Sequence, residues 1–379
     1  MKIIHVLSGL AKGGAERVAV ELANEAIEKG DQVTILAGWQ ENPIYLQNKI
    51  HPDVNIKFIA KKKSLAYFKI IYWIFTNKKW ICSKDVLHCH LTFGAVFGSV
   101  ANIVLKVILR NKTPIIVETY HAVGMSIPKF NRWLHSRMVL QRNGLVLMAK
   151  DPYWDNFILK HPHLKTKIIP NGITVLETTN NSKQKHQLIK EIGISEKHKY
   201  LIGTIGMLRP DRKPWLYVPL FYEIYKALGD EAHFVLGGAG EEYNKIKNLV
   251  HEQDFLNNFH MLGLVNEPMP IISNMDVYVS VSVGETAGIS MIEAAMCKVP
   301  VVGIQLIENY KVNKNDWVWS HGDLREVANK IISLLKNPKE REKLANTQKA
   351  YVTDNFTSKL MYCSYNSFYK QILDSGNKA

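Results

Sequence analysis

Residues 277–303, VYVSVSVGETAGISMIEAAMCKVPVVG, constrain the fold more than any other stretch of the chain. Val277 to Val283 is alternating and β-branched, which reads as a buried strand. Gly284, Thr286 and Gly288 break that pattern, and Ser290 opens a helical run, Met291 to Cys297, that stops before Pro300. Val299 to Gly303 reads as the next parallel strand. Backbone N–H groups of Ala287, Gly288, Ile289 and Ser290 would stand unsatisfied at the helix start, where the dipole and open donors favour an anion such as phosphate. Two acids bracket the turn. Glu293, one turn into the helix, suits paired hydroxyls of the kind a ribose offers. Glu285, at its mouth, suits sugar hydroxyls or positive charge developing at an anomeric carbon. The plainer alternative is a pair of ordinary acids favouring a helix start.

The larger pattern is more specific than the two acids. Glu285, seven residues, Glu293, then Ala294-Ala295-Met296-Cys297 and Pro300-Val301-Val302 resembles the EX7E motif of the retaining glycosyltransferases of family 4. That resemblance implies an α/β chain of the GT-B type, with two Rossmann-like, doubly wound parallel-sheet domains facing across a cleft. The length of 379 residues agrees with two domains, each able to bury its own core. Boundaries fall at 1–178 and 187–358, with a final helix at about 360–376 that the resemblance sends back onto the first domain. Glu177 to His186, polar and without an apolar stripe, reads as the linker.

Four cysteines, Cys82, Cys89, Cys297 and Cys363, form no C-x-x-C pair, which argues for reduced thiols in a cytosol. Met1 to Leu7 reads as a first strand, because Gly9 and Lys12 interrupt it too early for a signal peptide. The net charge of +14 is uneven: residues 1–176 hold 24 Lys and Arg against 11 Asp and Glu, and the remainder is near balance. One half is expected to face an anionic surface.

Along that half, Lys2 to Leu7, a glycine loop and a helix from Ala15 to Lys29 open a β-α-β unit. Gly13 and Gly14 sit where a strand's carboxyl end meets a helix start, a ready anion and sugar site. Gly13-Gly14-Ala15-Glu16-Arg17 resembles the family's GGAER loop, which implies that Gly14 lets the donor approach the backbone, with Gly13 on the acceptor side. Lys61 to Lys84 is basic at both ends and dense in aromatics, and its apolar heart is too short to span a bilayer. It reads as an interfacial helix on anionic lipid, against the alternative of a core helix with solvated lysines. His88 and His90 share one strand face, as metal ligands do, but no third ligand is spaced nearby, and no metal is expected. DVLHCH resembles the family's D-V-V-H-x-H strand, which implies an acceptor-side place for His90. His121, just past a strand's carboxyl end, matches the family histidine that contacts the donor sugar. Lys129, Arg132, Arg137 and Arg142 either extend the basic acceptor-side face or contact an acceptor phosphate.

In the second half, Tyr200 to Ile205 is a strand followed by Gly206-Met207-Leu208-Arg209-Pro210-Asp211-Arg212-Lys213-Pro214. A glycine turn with three cations suits a diphosphate. Lys213 matches the family's lysine, whereas Met207 stands where its arginine is expected, leaving Arg209 or Arg212 to take that part. Gly238, in the loop after Ala232 to Leu236, resembles the family's loop beneath the nucleotide, and Leu264-Val265 match the place where backbone meets the nucleobase.

The resemblance therefore implies a retaining glycosyltransferase with Glu285 and His121 as catalytic residues. It implies no cofactor beyond a nucleotide-diphosphate sugar co-substrate. D-x-D occurs nowhere in the chain, so a metal-bridged diphosphate has no obvious ligands. Expected partners are the sugar donor, a lipid-linked saccharide acceptor and an anionic membrane surface, placing the protein on the cytoplasmic membrane face. A nucleotide-sugar epimerase of the same fold, or a basic peripheral membrane or nucleic-acid-binding protein, are the competing readings, although no recognisable nucleic-acid module appears.

Overall fold

The computed structural model describes residues 1–11, 13–41, 46–108, 113–121, 127–174, 193–194, 199–282, 288–305, 318–320 and 323–376. The linker expected at 177–186 lies outside them. The chain divides into two units, Met1–Thr174 with Phe356–Ala379, and Val175–Asn355.

The first unit is built on seven parallel strands: β1 (Lys2–Leu7), β2 (Gln32–Trp39), β3 (Asn55–Ala60), β4 (Val86–His90), β5 (Ile115–Tyr120), β6 (Gly144–Leu147) and β7 (Lys165–Ile168). Their order is β3-β2-β1-β4-β5-β6-β7, so the winding reverses between β1 and β4. Ligands of doubly wound sheets bind at such a reversal, beyond the carboxyl ends of the strands. Side chains alternate across the sheet. Ile4, Val6, Leu87 and Cys89 pack with helices α2 (Lys63–Cys82) and α3 (Leu91–Ala101) in one apolar core. His5, His88 and His90 take the opposite face. There the long final helix, Ser358–Gly376, lays Tyr365 and Tyr369 on them. The structure thus covers the amino-terminal sheet with residues from the far end of the chain. Gly172 permits the entry to this helix: a Cβ there would lie 2.2 Å from the carbonyl oxygen of Thr357.

The Lys61–Lys84 stretch forms helix α2, in which Trp73 and Trp80 pack on the core. Ala66, Ile70, Ile74 and Ile81 form its buried aliphatic stripe, whereas Phe68 and Tyr72 are 87% and 71% exposed. Aromatics at helical spacing usually turn inward; these stand out among the lysines. Among the described residues, no helix is long and apolar enough to cross a membrane.

One basic residue is not where charge alone puts it. Arg142 is fully buried, its Nε 2.8 Å from Glu118 Oε2 and its Nη2 donating to the carbonyl of Ala95 and to Ser99. His135 Nε2 lies 2.6 Å from the other Glu118 oxygen. Burial alone would raise the Glu118 pKa, but Arg142 and His135 outweigh it and hold the carboxyl below its ordinary value. Arg142 therefore leaves the expected basic face, because an unpaired buried carboxylate would cost more than one lost surface cation.

The second unit carries six parallel strands, β8 (Tyr200–Ile205), β9 (Ala232–Gly237), β10 (Phe259–Gly263), β11 (Val277–Ser282), β12 (Val301–Gln305) and β13 (Val318–Ser320), ordered β10-β9-β8-β11-β12-β13. The reversal here falls between β8 and β11. Helices 217–228, 243–251 and 324–336 share one core with the sheet. The helix expected after residue 288 runs Ile289–Met296 and packs toward 338–355, where Gln348 bonds both backbone groups of Val301. The expected α/β architecture is present in both units, and every strand pairing among the described residues is parallel.

Candidate active site

In the first unit, the predicted residues gather at the carboxyl ends of β1, β4 and β5. Gly13 caps helix α1 (Gly14–Glu28) with extended backbone and no side-chain capping bond. The Glu16 carboxylate lies over it: a Cβ on Gly13 would be 2.0 Å from Glu16 Oε2. The pKa of Glu16 is raised, chiefly by burial and further by nearby Glu41. A carboxylate already occupies this helix start, so the glycine pair is better suited to sugar hydroxyls than to a further anion.

His90 ends β4 and is completely buried. Leu91 follows with φ 59°, a left-handed turn that passes the chain from strand to helix without a loop. His90 Nδ1 is 3.0 Å from His121 Nε2, and His90 Nε2 is 3.1 Å from His5 Nδ1. The two predicted histidines therefore touch, and a third joins them. Burial pushes His121 down to about 4 and His5 to about 3, and burial first, then the neighbouring histidines, hold His88 and His90 well below the ordinary range. His5 carries no local signal in the sequence, because its partner strand lies 83 residues away; the signal is a register, His5 opposite His88. It also supplies the third imidazole that spacing did not offer: ligand atoms of His5, His88 and His90 lie within 4.8 Å of one another.

In the second unit, the loops after β8, β9 and β10 are tied together at one sheet edge. Gly206 N donates to Gly237 O, Leu208 N to Ala239 O and Gly238 N to Gly263 O. Gly238, φ 144°, sits so close to this seam that a Cβ would lie 1.8 Å from Gly206 O. Its part is to let two loops meet. Gly238→Ala is expected to lower unfolding stability by about 2 kcal/mol or more, read by urea denaturation; an unchanged midpoint would refute the close approach. Leu264 is half exposed, and Val265 packs over Gly237.

The cationic turn follows β8. Arg209 makes a two-pronged pair with Asp211, Nε to Oδ1 at 2.9 Å and Nη2 to Oδ2 at 2.6 Å, while Arg212 Nε stays 3.9 Å from the same carboxylate. Lys213 is held in a left-handed conformation, φ 47°, and makes no ion pair among the described residues. That assigns different states to the three cations: Arg209 must exchange a carboxylate for any phosphate, whereas Lys213 is unengaged. Across the reversal, the helix Ile289–Met296 is capped by Gly288, which has extended backbone and no side chain to bond the first N–H groups. Ile289 and Ser290 are half-buried there, and Glu293 is buried at 3% exposure. Tyr278 on β11 donates to Ile205 O, and Tyr217 OH accepts from Val281 N, so two buried hydroxyls brace the edges of β8 and β11. Neither tyrosine was singled out in the sequence, where both look like ordinary core aromatics. Glu285 and Ala287 lie outside the described residues.

Each unit is a doubly wound α/β sheet with glycine loops at the carboxyl ends of its strands beside the reversal point, the place where such enzymes bind their ligands. The family described as "Glycosyltransferase Family 4" matches residues 12–175, and "Glycosyl transferases group 1" matches residues 184–351. The chain belongs to these glycosyltransferases. It is 22% identical to the N-acetyl-alpha-D-glucosaminyl L-malate synthase of Bacillus anthracis over 95% of this chain and 94% of that one. It is 23% identical to the UDP-Gal:alpha-D-GlcNAc-diphosphoundecaprenol alpha-1,3-galactosyltransferase of Escherichia coli, over 89% and 87%. Among solved structures, Anabaena Alr3699/HepE in complex with UDP-glucose superposes with a TM-score of 0.75 at 15% identity, covering both chains fully. The fold is GT-B.

Proposed function

We propose that this glycosyltransferase moves a sugar, with retention at the anomeric carbon, from a nucleoside-diphosphate sugar to a lipid-linked saccharide of cell-envelope polysaccharide synthesis. The observation that carries the reading is the placement of the Arg209–Lys213 turn and the open helix start at Gly288 at the carboxyl edges of adjacent strands β8 and β11. Cations and amide N–H groups aimed at one place stabilise the charge that grows on a departing diphosphate. Lys213 with Arg209 or Arg212 neutralises it, and the amides near Ser290 share the load. Glu293 holds the ribose; Glu285 and His121 position the sugar. The departing phosphate takes the acceptor's proton, so transfer proceeds on one face without a protein nucleophile or a metal. The UDP-glucose bound by the Anabaena neighbour and the undecaprenol-linked acceptor in the Escherichia coli relative's name support the donor and acceptor classes.

A panel of UDP-, GDP- and ADP-sugars tests the donor, because a ligand bound by the native state alone raises the melting temperature. One nucleotide class is expected to raise it; no shift with any of them sinks the assignment. Glu285→Ala is expected to lower transfer about 100-fold or more while leaving the melting temperature in place. Donor consumed without any acceptor, and converted to an isomeric sugar, would favour an epimerase instead.

The exposed aromatics and lysines of α2, with Phe130 and Trp133 on the helix Lys129–Val139, support an anionic membrane as the place of action. Flotation with vesicles of phosphatidylglycerol and phosphatidylcholine is expected to carry the protein up, and phosphatidylcholine alone is not. Phe68→Ser with Tyr72→Ser should weaken binding about 10-fold; equal flotation on both vesicle types would remove the anionic surface from the reading.

A further inference from the structure

A cavity of about 410 Å³ opens at the amino ends of β2 and β3, the sheet edge opposite the one that carries Gly13 and His90. Small-molecule sites run from about 300 to 1,000 Å³. The cavity continues the core face of the first unit. Successive residues of a strand alternate in direction, so Leu36, Thr34 and Gln32 share a face on β2, and Ile59, Lys57 and Asn55 share one on β3. Ile4 and Lys2 do the same on β1. Ile4, Leu36 and Ile59 pack with α2 in the apolar core. Each row then turns polar toward the amino edge. There Trp80, in the last turn of α2, and Lys84, just past the helix, complete the wall with Gln32, Thr34 and Asn55.

Trp80 stands edge-on to Trp73 with ring centres 5.9 Å apart, and the ammonium groups of Lys57 and Lys84 lie 5.2 and 5.0 Å from the centre of its ring. The nearby acids are engaged or peripheral. Asp31 takes the Met1 amino group and the Tyr362 hydroxyl, Asp85 accepts from the backbone N–H of Lys2, and Asp53 is exposed at the rim beside His51. Lys2, Lys57 and Lys84 form no ion pair among the described residues. Burial first, then Lys2 and Lys57, push the Lys84 pKa down against the pull of Asp85, so like charges crowd a half-buried wall. The side chains of Gln32, Thr34 and Asn55 bond to nothing else among the described residues, which leaves two amides and a hydroxyl as adjacent donors and acceptors. The carboxyl ends of α1 and α2 reach the cavity, and the negative ends of their dipoles weigh against a polyphosphate. A ligand with one negative charge and a ring of hydroxyls matches all of these groups.

We propose that this cavity binds a sugar carrying one carboxylate, a hexuronate unit of a polysaccharide, with the carboxylate on Lys84 and the ring hydroxyls on Gln32, Thr34 and Asn55. Lys57 and Lys2 add attraction from beyond the wall. Bound there, an acidic chain is held at the end of the strands away from Gly13 and His90, and donor binding plays no part in it.

The test is a ¹⁵N spectrum of the full chain labelled at tryptophan, in which the Trp80 indole signal is identified by its loss in Trp80→Phe. Titration with sodium glucuronate is expected to move that signal saturably, half-complete at about 1 mM. Glucose, acetate and inorganic phosphate, each at the same concentration and ionic strength, are expected to leave it in place. Lys84→Gln should weaken glucuronate about 10-fold and Asn55→Ala about 3-fold. An equal shift with glucose overturns the carboxylate, and an equal shift with acetate or phosphate overturns the sugar. Glucose 1-phosphate binding more tightly than glucuronate overturns the carboxylate in favour of a phosphosugar. No shift with glucuronate, or binding that neither variant weakens, overturns the site itself. Should Lys84→Gln not fold, the wild-type titrations and Asn55→Ala, a change at an exposed position, still decide.

Discussion

Replacing Arg142 with methionine is expected to destabilise the amino-terminal unit by about 3–5 kcal/mol, the usual cost of stripping one partner from a buried ion pair. The guanidinium and the Glu118 carboxylate are shut off from solvent together, and Arg142 also satisfies Ala95 O and Ser99. Methionine fills much of the volume but leaves Glu118 charged and buried with only His135 beside it. The double variant Arg142→Met/Glu118→Gln removes that stranded charge and should recover most of the loss. Urea denaturation of the three proteins at pH 7 measures both numbers; a single variant within about 1 kcal/mol of wild type would show that the pair contributes little.

Acid lability should be the second large effect. His5, His88, His90 and His121 stay neutral in the folded chain to values far below their ordinary 6.5, about 3 for His5 and about 4 for His121. Unfolded, each binds a proton near 6.5, so between that pH and about 4 the unfolded state holds more protons than the native one. Stability is therefore complete above 6.5 and falls as the pH drops through this window, by about 1.4 kcal/mol per unit for each histidine that resists protonation. Glu118, held low when folded, adds a further loss below its unfolded value of 4.5. The urea midpoint should drop steeply from pH 6.5 to 4.5; a flat midpoint over that range would mean that the histidines are not sealed as described.

The sheets were legible because their strands are runs of β-branched residues ended by glycine loops: Lys2–Leu7, Tyr200–Ile205 and Val277–Ser282 stand where the patterning puts them. β13, three residues long, has no pattern to read, and the π-helical stretch Asn102–Ile108 continues α3 through residues that look plainly helical. Helix α2 was legible as a helix but not as to which side faces out, since its aromatic and aliphatic residues are spread over every side. Only the neighbouring β-strands and α3 select the aliphatic stripe. The site divides in the same way. Loops and helix starts follow from local sequence, and Gly13, Lys213 and Gly288 stand at the turns and helix starts where the pattern puts them. Partnerships made by register were not: His5 meets His90 across 85 residues, and Arg142 reaches Glu118 from a neighbouring connection. A basic side chain carries no local sign that an acid waits for it inside.

The final helix has a consequence for how the chain is made. Tyr365 and Tyr369 close over Thr119 and His88, yet the ribosome adds them only after the whole second unit. Throughout synthesis of that unit the first sheet must wait with one face uncovered, its histidines open to water and free to take up protons. Its last layer is made only after the second unit, so a nascent chain stalled within that unit would carry a half-finished first one.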